Sequence, residues 1–500
     1  MRYESTAATA RVFTTLLVLL LLQVVCRHLP SYLFMVPMPG CEDVCHGVRE
    51  KPLCFWKDKM PMDVAERECY QCRSRSGTTT LPVNQTAAVL ASVEGAQQLR
   101  HQAQVEDRDA LFYNLADGIC VNSLEYGFAM GCAFALPFAA TLLPAARLCR
   151  MRSRVAIIGY SSLAVSITLG IQAGAEEYCM LMVMRAIEGV AEGFMLTAAL
   201  SLTSDMFPSL SAQTIACYAL NQGMCIGGGC ASLGIMLALF FGWRWANMVL
   251  AILGMGVAAI WLATVTEPDR LEAKLLEMDS DIFDGVFNER VARLLTVAAA
   301  AKMFAMHSII AFLPLWFAQA DLQGFTGPKY AVANAVVVSI GGIAASMLAA
   351  MVAYAGQRSM SYITWHGLAS AVLAVPLLCW ILLAGDFTQA MIGYLALIAL
   401  TETWYGPTVL ALQAYVRKSV SADAVCAFQM IALAIAGFGP AFAGLLDYWT
   451  AELGVNLLWL CITANLIAAV SFWAASQEIM VDPPHNEDLI KKVHPIALTL

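Results

Sequence analysis

The apolar residues of this 500-residue chain fall into blocks about as long as a bilayer core is thick. A helix needs about 20 residues to cross the ~30 Å of hydrocarbon. In hydrocarbon every backbone N–H and C=O must find a partner within the chain, so blocks of this length can only be helices. Twelve blocks occur, at about 12–36, 118–146, 154–174, 178–204, 212–239, 243–266, 293–318, 329–354, 361–384, 388–415, 424–448 and 454–476. Hydrophobic residues make up 59% of the chain and charged residues 13%, against about a quarter charged in soluble domains. The expected fold class is all-α, a polytopic membrane protein with twelve transmembrane helices.

The short loops set the expected orientation, because Lys and Arg gather on the cytoplasmic side. Arg2, Arg11, Arg147, Arg150, Arg152, Arg154, Arg270, Lys274, Arg290, Arg293, Arg358, Arg417, Lys418, Lys491 and Lys492 share one side. The short loops opposite hold little beyond Arg244 and Lys329. Both termini are therefore expected in the cytoplasm, including the segment 1–36 with the first helix and the tail at 477–500. The long loop at 37–117 is expected outside the cell or in a lumen. It carries the sequon Asn84-Gln85-Thr86, a candidate glycosylation site. Cys41, Cys45, Cys54, Cys69 and Cys72 crowd it, with Cys120 at the mouth of the second helix. These six are disulfide candidates in an oxidising compartment, with their pairing open. A zinc site beginning at Cys69-x-x-Cys72 lacks a second ligand pair at suitable distance, so no metal is expected. The net charge of −8 says little about partners, because sign matters by side of the membrane, and no basic tract with interleaved aromatics points to a nucleic-acid partner.

The connection at 267–292 separates residues 118–266, which complete one set of six helices, from the second set at 293–476. It is acidic, and Leu271, Leu275, Met278 and Ile282 recur at helical spacing, predicting a short amphipathic helix on the membrane surface.

A six-plus-six bundle with both ends inside resembles the major facilitator superfamily. Several stretches strengthen the likeness: Arg185-Ala-Ile-Glu188-Gly189-Val-Ala-Glu192-Gly193, then Asp205-Met-Phe-Pro208, Gly242-Trp243-Arg244-Trp245 and Glu267-Pro268-Asp269-Arg270 in the first half. The second half holds Gly437-Phe-Gly439-Pro440 and Gly444-Leu-Leu-Asp447. Together they most resemble the spinster-like branch, whose members move lysolipids and sphingoid lipids, typically with protons. The family's G-x-x-x-D-R-x-G-R-R loop after the second helix corresponds to 142–151, where Leu142 and Ala146 replace the Gly and Asp while Arg147 and Arg150 remain. The resemblance makes those two arginines candidate gating residues and puts the family's Asp-based gate in question. The long Cys-rich loop is similar instead to that of organic cation transporters.

Ionisable residues inside the blocks carry the strongest functional signal. Arg27 and His28 lie in the first helix, Arg185, Glu188 and Glu192 in the fourth, Lys302 and His307 in the seventh, and Glu402 in the tenth. In the superfamily these four helices line the central cavity. A charge facing lipid at mid-helix costs ~2.5–3.5 kcal/mol, so six would cost on the order of 18 kcal/mol, more than the ~5–15 kcal/mol net stability of a typical fold. They must face protein or water. Arg27, Arg185, Glu188, Glu192, Lys302, His307 and Glu402 are thus candidate substrate- and proton-binding residues. Arg27 and Arg185 are expected to hold an anionic group, and Glu192 or Glu402 to carry a coupling proton. Competing structural readings are an Arg185–carboxylate ion pair remote from solute, and a Lys302 that snorkels to the membrane surface.

The function expected is alternating-access transport of a small solute, for which the resemblance implies a lysolipid or sphingoid lipid, with protons as partner and no cofactor, in the plasma or an endolysosomal membrane. An organic ion carrier of the same superfamily is the first rival. A transport-dead receptor using the Cys-rich loop is the second. No HExxH or paired-Asp helix signature supports an intramembrane enzyme.

Overall fold

The structure, a computed structural model, describes residues 6–34, 115, 119, 121–207, 210–268, 286–320, 322–356, 359–416, 421–450 and 452–481. The loop at 37–117 apart from Leu115, and so its sequon and cysteines, Cys120, the linker helix expected over 271–282 and the tail beyond 481 lie outside the described residues. Helix α1 is Thr6–Leu33. Helix α2 runs as Ser123–Met130 and Cys132–Met151 around Gly131. Helices α3 and α4 are Arg154–Ala173 and Tyr178–Met206. Helix α5 is Leu210–Cys230, extended through a 3-10 turn to residue 241, and α6 covers 243–264. Between them Gly242 has φ 80°, a conformation that a Cβ would strain. Helices α7, α8 and α9 are Arg290–Gln319, Gly327–Gly356 and Met360–Leu383. Helix α10 is split into Phe387–Thr401 and Tyr405–Tyr415. Helix α11 is split into Ser421–Ala436 and Phe438–Thr450, and α12 is Leu453–Val481.

Ten of the described segments are long and apolar enough to cross a membrane. Helices α5 and α6 form one of these ten, as Ala219–Thr264, and α4, which carries four charges, is not among them. Separating the first pair and admitting α4 gives the expected twelve. Helix ends follow local chemistry. Asn122 and Glu125 form a reciprocal capping box at the start of α2, and Ser153 caps α3 by accepting from the Ala156 N–H. The breaks in α10 and α11 precede Pro407 and Pro440 by three or four residues. A proline ring collides with the carbonyl of residue i−4, here Thr403 and Ala436.

Helices α3, α6, α9 and α12 turn apolar side chains such as Tyr160, Ile252, Ile260, Val372 and Val470 outward, as a lipid-facing rim requires. Inside, burial is asymmetric. Toward the side where residues 34 and 121 meet the long loop, one buried cluster draws on both halves, including Leu33, Phe34, Tyr126, Trp243, Phe312, Trp316 and Tyr330. Toward the side of the 267–289 connection the cores are separate. One contains Leu16, Ile158, Met206 and Trp261 of the first half. The other contains Leu295, Trp404, Phe428 and Phe472 of the second, touched from across only by Leu143 among the described residues. The halves share one large buried cluster on the loop side; toward the linker side each keeps its own core, and a smaller cluster of Phe134, Phe138 and Leu142 with Met430 and Leu433 joins them.

Candidate functional site

The seal is polar as well as apolar. The Tyr126 hydroxyl donates to the Ala311 carbonyl at 2.5 Å, and the Tyr126 ring packs on Phe34 and edge-on to Phe312. The Asn334 amide donates to the Tyr32 hydroxyl at 3.0 Å, and Ser232 donates to the Ala331 carbonyl at 2.7 Å. Deeper in, Asn221 donates to Ser346 at 2.8 Å, again joining α5 to α8.

Below that seal the charges of the first half gather into one network. Arg185, Glu188 and Glu192 share a helix face because residues three, four and seven apart lie one above another. Helix α4 can bring that face close to α2 because a Cβ at Gly189 would run into the Phe134 carbonyl, and one at Gly193 into Thr141. Arg185 Nη1 binds Glu188 Oε2 at 2.9 Å and donates to the Arg27 carbonyl at 3.1 Å, while its Nε reaches the Ala129 carbonyl at 3.4 Å. Gln172 of α3 donates to Glu188 Oε2 at 3.3 Å. Arg27 Nη1 lies 3.0 Å from Glu192 Oε2. Both guanidiniums stand over the Phe134 ring, at 5.7 Å for Arg27 and 5.0 Å for Arg185, where the ring's negative face favours a cation.

The network is incompletely satisfied. Glu188 and Glu192 are buried, and each keeps its Oε1 without a hydrogen-bond partner; Arg27 Nε is likewise buried and unpartnered. Such atoms cost free energy unless something else meets them. The Arg27 side chain retains 24% exposure, so it is the member open to solvent. His307 of α7 is half-buried and within electrostatic reach of Arg27 and of His28, which places it where the halves face each other.

The second half is arranged differently. Lys302 lies twelve residues inside α7 and is 3% exposed, so it does not snorkel to the surface. It makes no hydrogen bond or ion pair among the described residues, although Glu402, His366 and Cys461 lie within electrostatic reach. Glu402 sits at the break in α10, half-buried, where the chain leaves the helix before Tyr405. His366 Nε2 is 2.6 Å from the Thr403 hydroxyl at the same break. Trp404 is buried against Phe472 and Tyr405. Trp316 is buried in the loop-side cluster.

A third polar cluster stands at the linker end of the first half. Arg154 bridges Asp205 of α4 at 2.5 Å and Glu267 after α6 at 2.8 Å. Glu267 also accepts from the Val155 N–H and the Ser153 hydroxyl, both at 2.9 Å. Burial alone would raise the Glu267 carboxyl, but the hydrogen bonds from Val155, Arg154 and Ser153 outweigh it and hold the group below its ordinary value. Arg147 is exposed and Arg150 half-exposed in the last turns of α2. Among the described residues no group of His, Cys, Asp or Glu is placed to hold a metal.

Sequence reasoning passed over Gln172, Phe134, His366 and Thr403 because it tracked formal charge. Gly406-Pro407 was the available signal for the break that brings Thr403 to His366.

Among the described residues, twelve helices in two halves, the first enclosing a network of buried ions, mark a multi-pass membrane protein. The chain belongs to the major facilitator superfamily, whose family model matches residues 110–442. It is 23% identical over 278 residues to an MFS-type efflux pump of Mycolicibacterium smegmatis, a match covering 53% of this chain and 62% of that relative. This chain thus spans less than two thirds of that relative's length. Among solved structures it is similar to a bacterial homologue of the human lysosomal transporter Spinster, in an inward-facing and unoccupied conformation: TM-score 0.67, 15% identity, covering 96% of this chain and 100% of that one. It is also similar to the nucleoside transporter NupG, with TM-score 0.60, 10% identity and coverage of 93% and 98%.

Proposed function

We propose that the protein is a proton-coupled secondary transporter of a small amphiphilic solute, working by alternating access, with Glu192 as the coupling carboxylate and Arg27 as its partner. The observation that carries this reading is the Arg27–Glu192 pair itself: it joins α1 to α4 near mid-depth, with one carboxylate oxygen bound and the other unpartnered. Transporters place solute and coupling-ion sites at that depth, between their repeats. Protonating Glu192 would release Arg27 toward an incoming solute, and deprotonation would recapture it. Arg185, engaged by Glu188 and two carbonyls, is assigned to holding the site's shape.

An apolar wall adjoins these charges. Phe134, Phe138 and Leu142 of α2 pack with Leu196, Met430 and Leu433. Ionic groups beside such a wall suit a solute with a polar head and an apolar body, which supports a spinster-like assignment. The separate cores of the two halves toward the linker, bridged there by this smaller wall, support an inward-facing state with the linker and both termini cytoplasmic.

The test is uptake into proteoliposomes of a panel of lysolipids, sphingoid bases and organic ions, with and without a proton gradient, for wild type and Glu192→Gln. Gradient-driven accumulation in wild type, lost in Glu192→Gln while exchange at equal pH persists, is expected. Unchanged gradient dependence in the variant would remove Glu192 from the coupling role.

A further inference from the structure

Arg27 is held far more loosely than its neighbour. Arg185 has Glu188 and two carbonyls as partners. Arg27 has one ion pair among the described residues, from Nη1 to Glu192, and its Nε is buried without a hydrogen bond. What else fixes its direction is the Phe134 ring, whose centroid lies 5.7 Å from the Arg27 guanidinium carbon. The Arg185 guanidinium carbon lies 5.0 Å from the same centroid. Two cations brought to one place repel each other, and an aromatic face within about 6 Å offsets part of that cost. The backbone that carries the ring is fixed from two elements. Helix α2 breaks one turn earlier at Gly131, where a Cβ would run into the Gly437 carbonyl of the other half. From α4, Gly189 admits the Phe134 carbonyl at a distance that no Cβ would allow.

We propose that Phe134 is the positioning residue of the coupling pair: its ring holds the Arg27 guanidinium against Glu192 beside a second cation. A leucine or methionine there would be apolar too but would present no negative face. Phe134 is buried and packs on Phe138, with ring centroids 5.7 Å apart. Both rings belong to the apolar wall that Met430 and Leu433 of the other half complete. Phe134 thus touches both the charges and the wall against which the apolar body of the solute would lie. A solute that shifts the ring loosens Arg27, so occupancy of the wall reaches Glu192 through one side chain. The inference rests on the Arg27–Glu192 reading above and adds the residue that sets the strength of that pair.

Graded fluorination of the ring tests it, because each fluorine withdraws charge from the face with little change of volume. The full chain carries phenylalanine or its 4-fluoro, 3,5-difluoro or 3,4,5-trifluoro form at position 134, and unfolding is followed in neutral detergent. The folding equilibrium is expected to weaken in steps, by about two- to five-fold per arginine over the whole series. In the Arg27→Met/Glu192→Gln background the steps should shrink, because only Arg185 remains over the ring. In proteoliposomes the ratio of uptake with and without a proton gradient should fall along the same series. A merely structural ring would leave both readouts flat, since the fluorinated forms pack alike. A flat unfolding series, steps of unchanged size without Arg27, or an unchanged uptake ratio across a stepped series would each overturn the positioning role. Unchanged gradient dependence in Glu192→Gln sinks the coupling reading instead, and the two unfolding series still decide whether the ring positions Arg27.

Discussion

Arg27 Nη1 and Glu192 Oε2 stand 3.0 Å apart, tying α1 to α4 across the interior of the first half. Because Glu192 is almost fully buried, removing its partner leaves a charge with nowhere to go. Arg27→Met is expected to destabilise the detergent-solubilised protein by about 3–5 kcal/mol, as for other broken buried pairs. The double variant Arg27→Met/Glu192→Gln should recover most of that loss. Thermal unfolding of the three proteins measures it; equal losses in single and double variants would mean that the pair is not coupled.

Arg185 reaches Glu188, the Arg27 carbonyl and the Ala129 carbonyl from two different nitrogens. An ammonium is a point charge and cannot reproduce that fork. Arg185→Lys should therefore behave as a loss, costing at least about 2 kcal/mol because hydrogen bonds to charged groups are worth ~1.5–3 kcal/mol each. Folded yield after detergent extraction and the unfolding midpoint report it. A wild-type midpoint in Arg185→Lys would show that the charge alone matters.

Glu267 links α3, α4 and the end of α6 through Arg154. Its carboxyl is held below the ordinary 4.5, so its contribution is fully present above that value. It is lost as pH falls through the folded-state value. Stability measured from about pH 6 down to about pH 4 should decline more steeply in wild type than in Glu267→Gln. The variant should start lower at neutral pH and change less. Parallel curves would take Glu267 out of the acid response.

The loop-side seal hangs on the Tyr126 hydroxyl, which reaches across to the Ala311 carbonyl of the other half. A single buried hydrogen bond contributes about 0.5–1.5 kcal/mol net. Tyr126→Phe keeps the ring packing on Phe34 and Phe312 and is expected to shift the balance between sealed and open by roughly two- to twelve-fold. Labelling of a cysteine introduced at Ser31 by an impermeant thiol reagent added from the loop side would register the change. No gain in labelling would show that the apolar packing alone sets the seal.

Much of this was legible in the sequence, for one reason: lipid cannot hydrogen-bond. That restriction turns apolar block length into helix number, and it makes each ion at block depth conspicuous. The span of α4, interrupted by four charges, was still readable as a helix because Arg185, Glu188 and Glu192 keep to one face. Sequence also supplied the glycines beside those charges, and the structure puts them against α2.

Which ion meets which was decided only by the tertiary structure. Arg27 lies 165 positions before Glu192 in the chain, and no local pattern relates them; the crossing of α1 over α4 does. Lys302 is separated from lipid not by its position in α7 but by α9, α10 and α12 packing around it. The split in α10 turns on Pro407, whose effect depends on neighbours able to satisfy the freed backbone. Periodicity fixes what a helix can present on each face, whereas pairing energy depends on distance and on the exclusion of water, and both of these arise when the helices assemble.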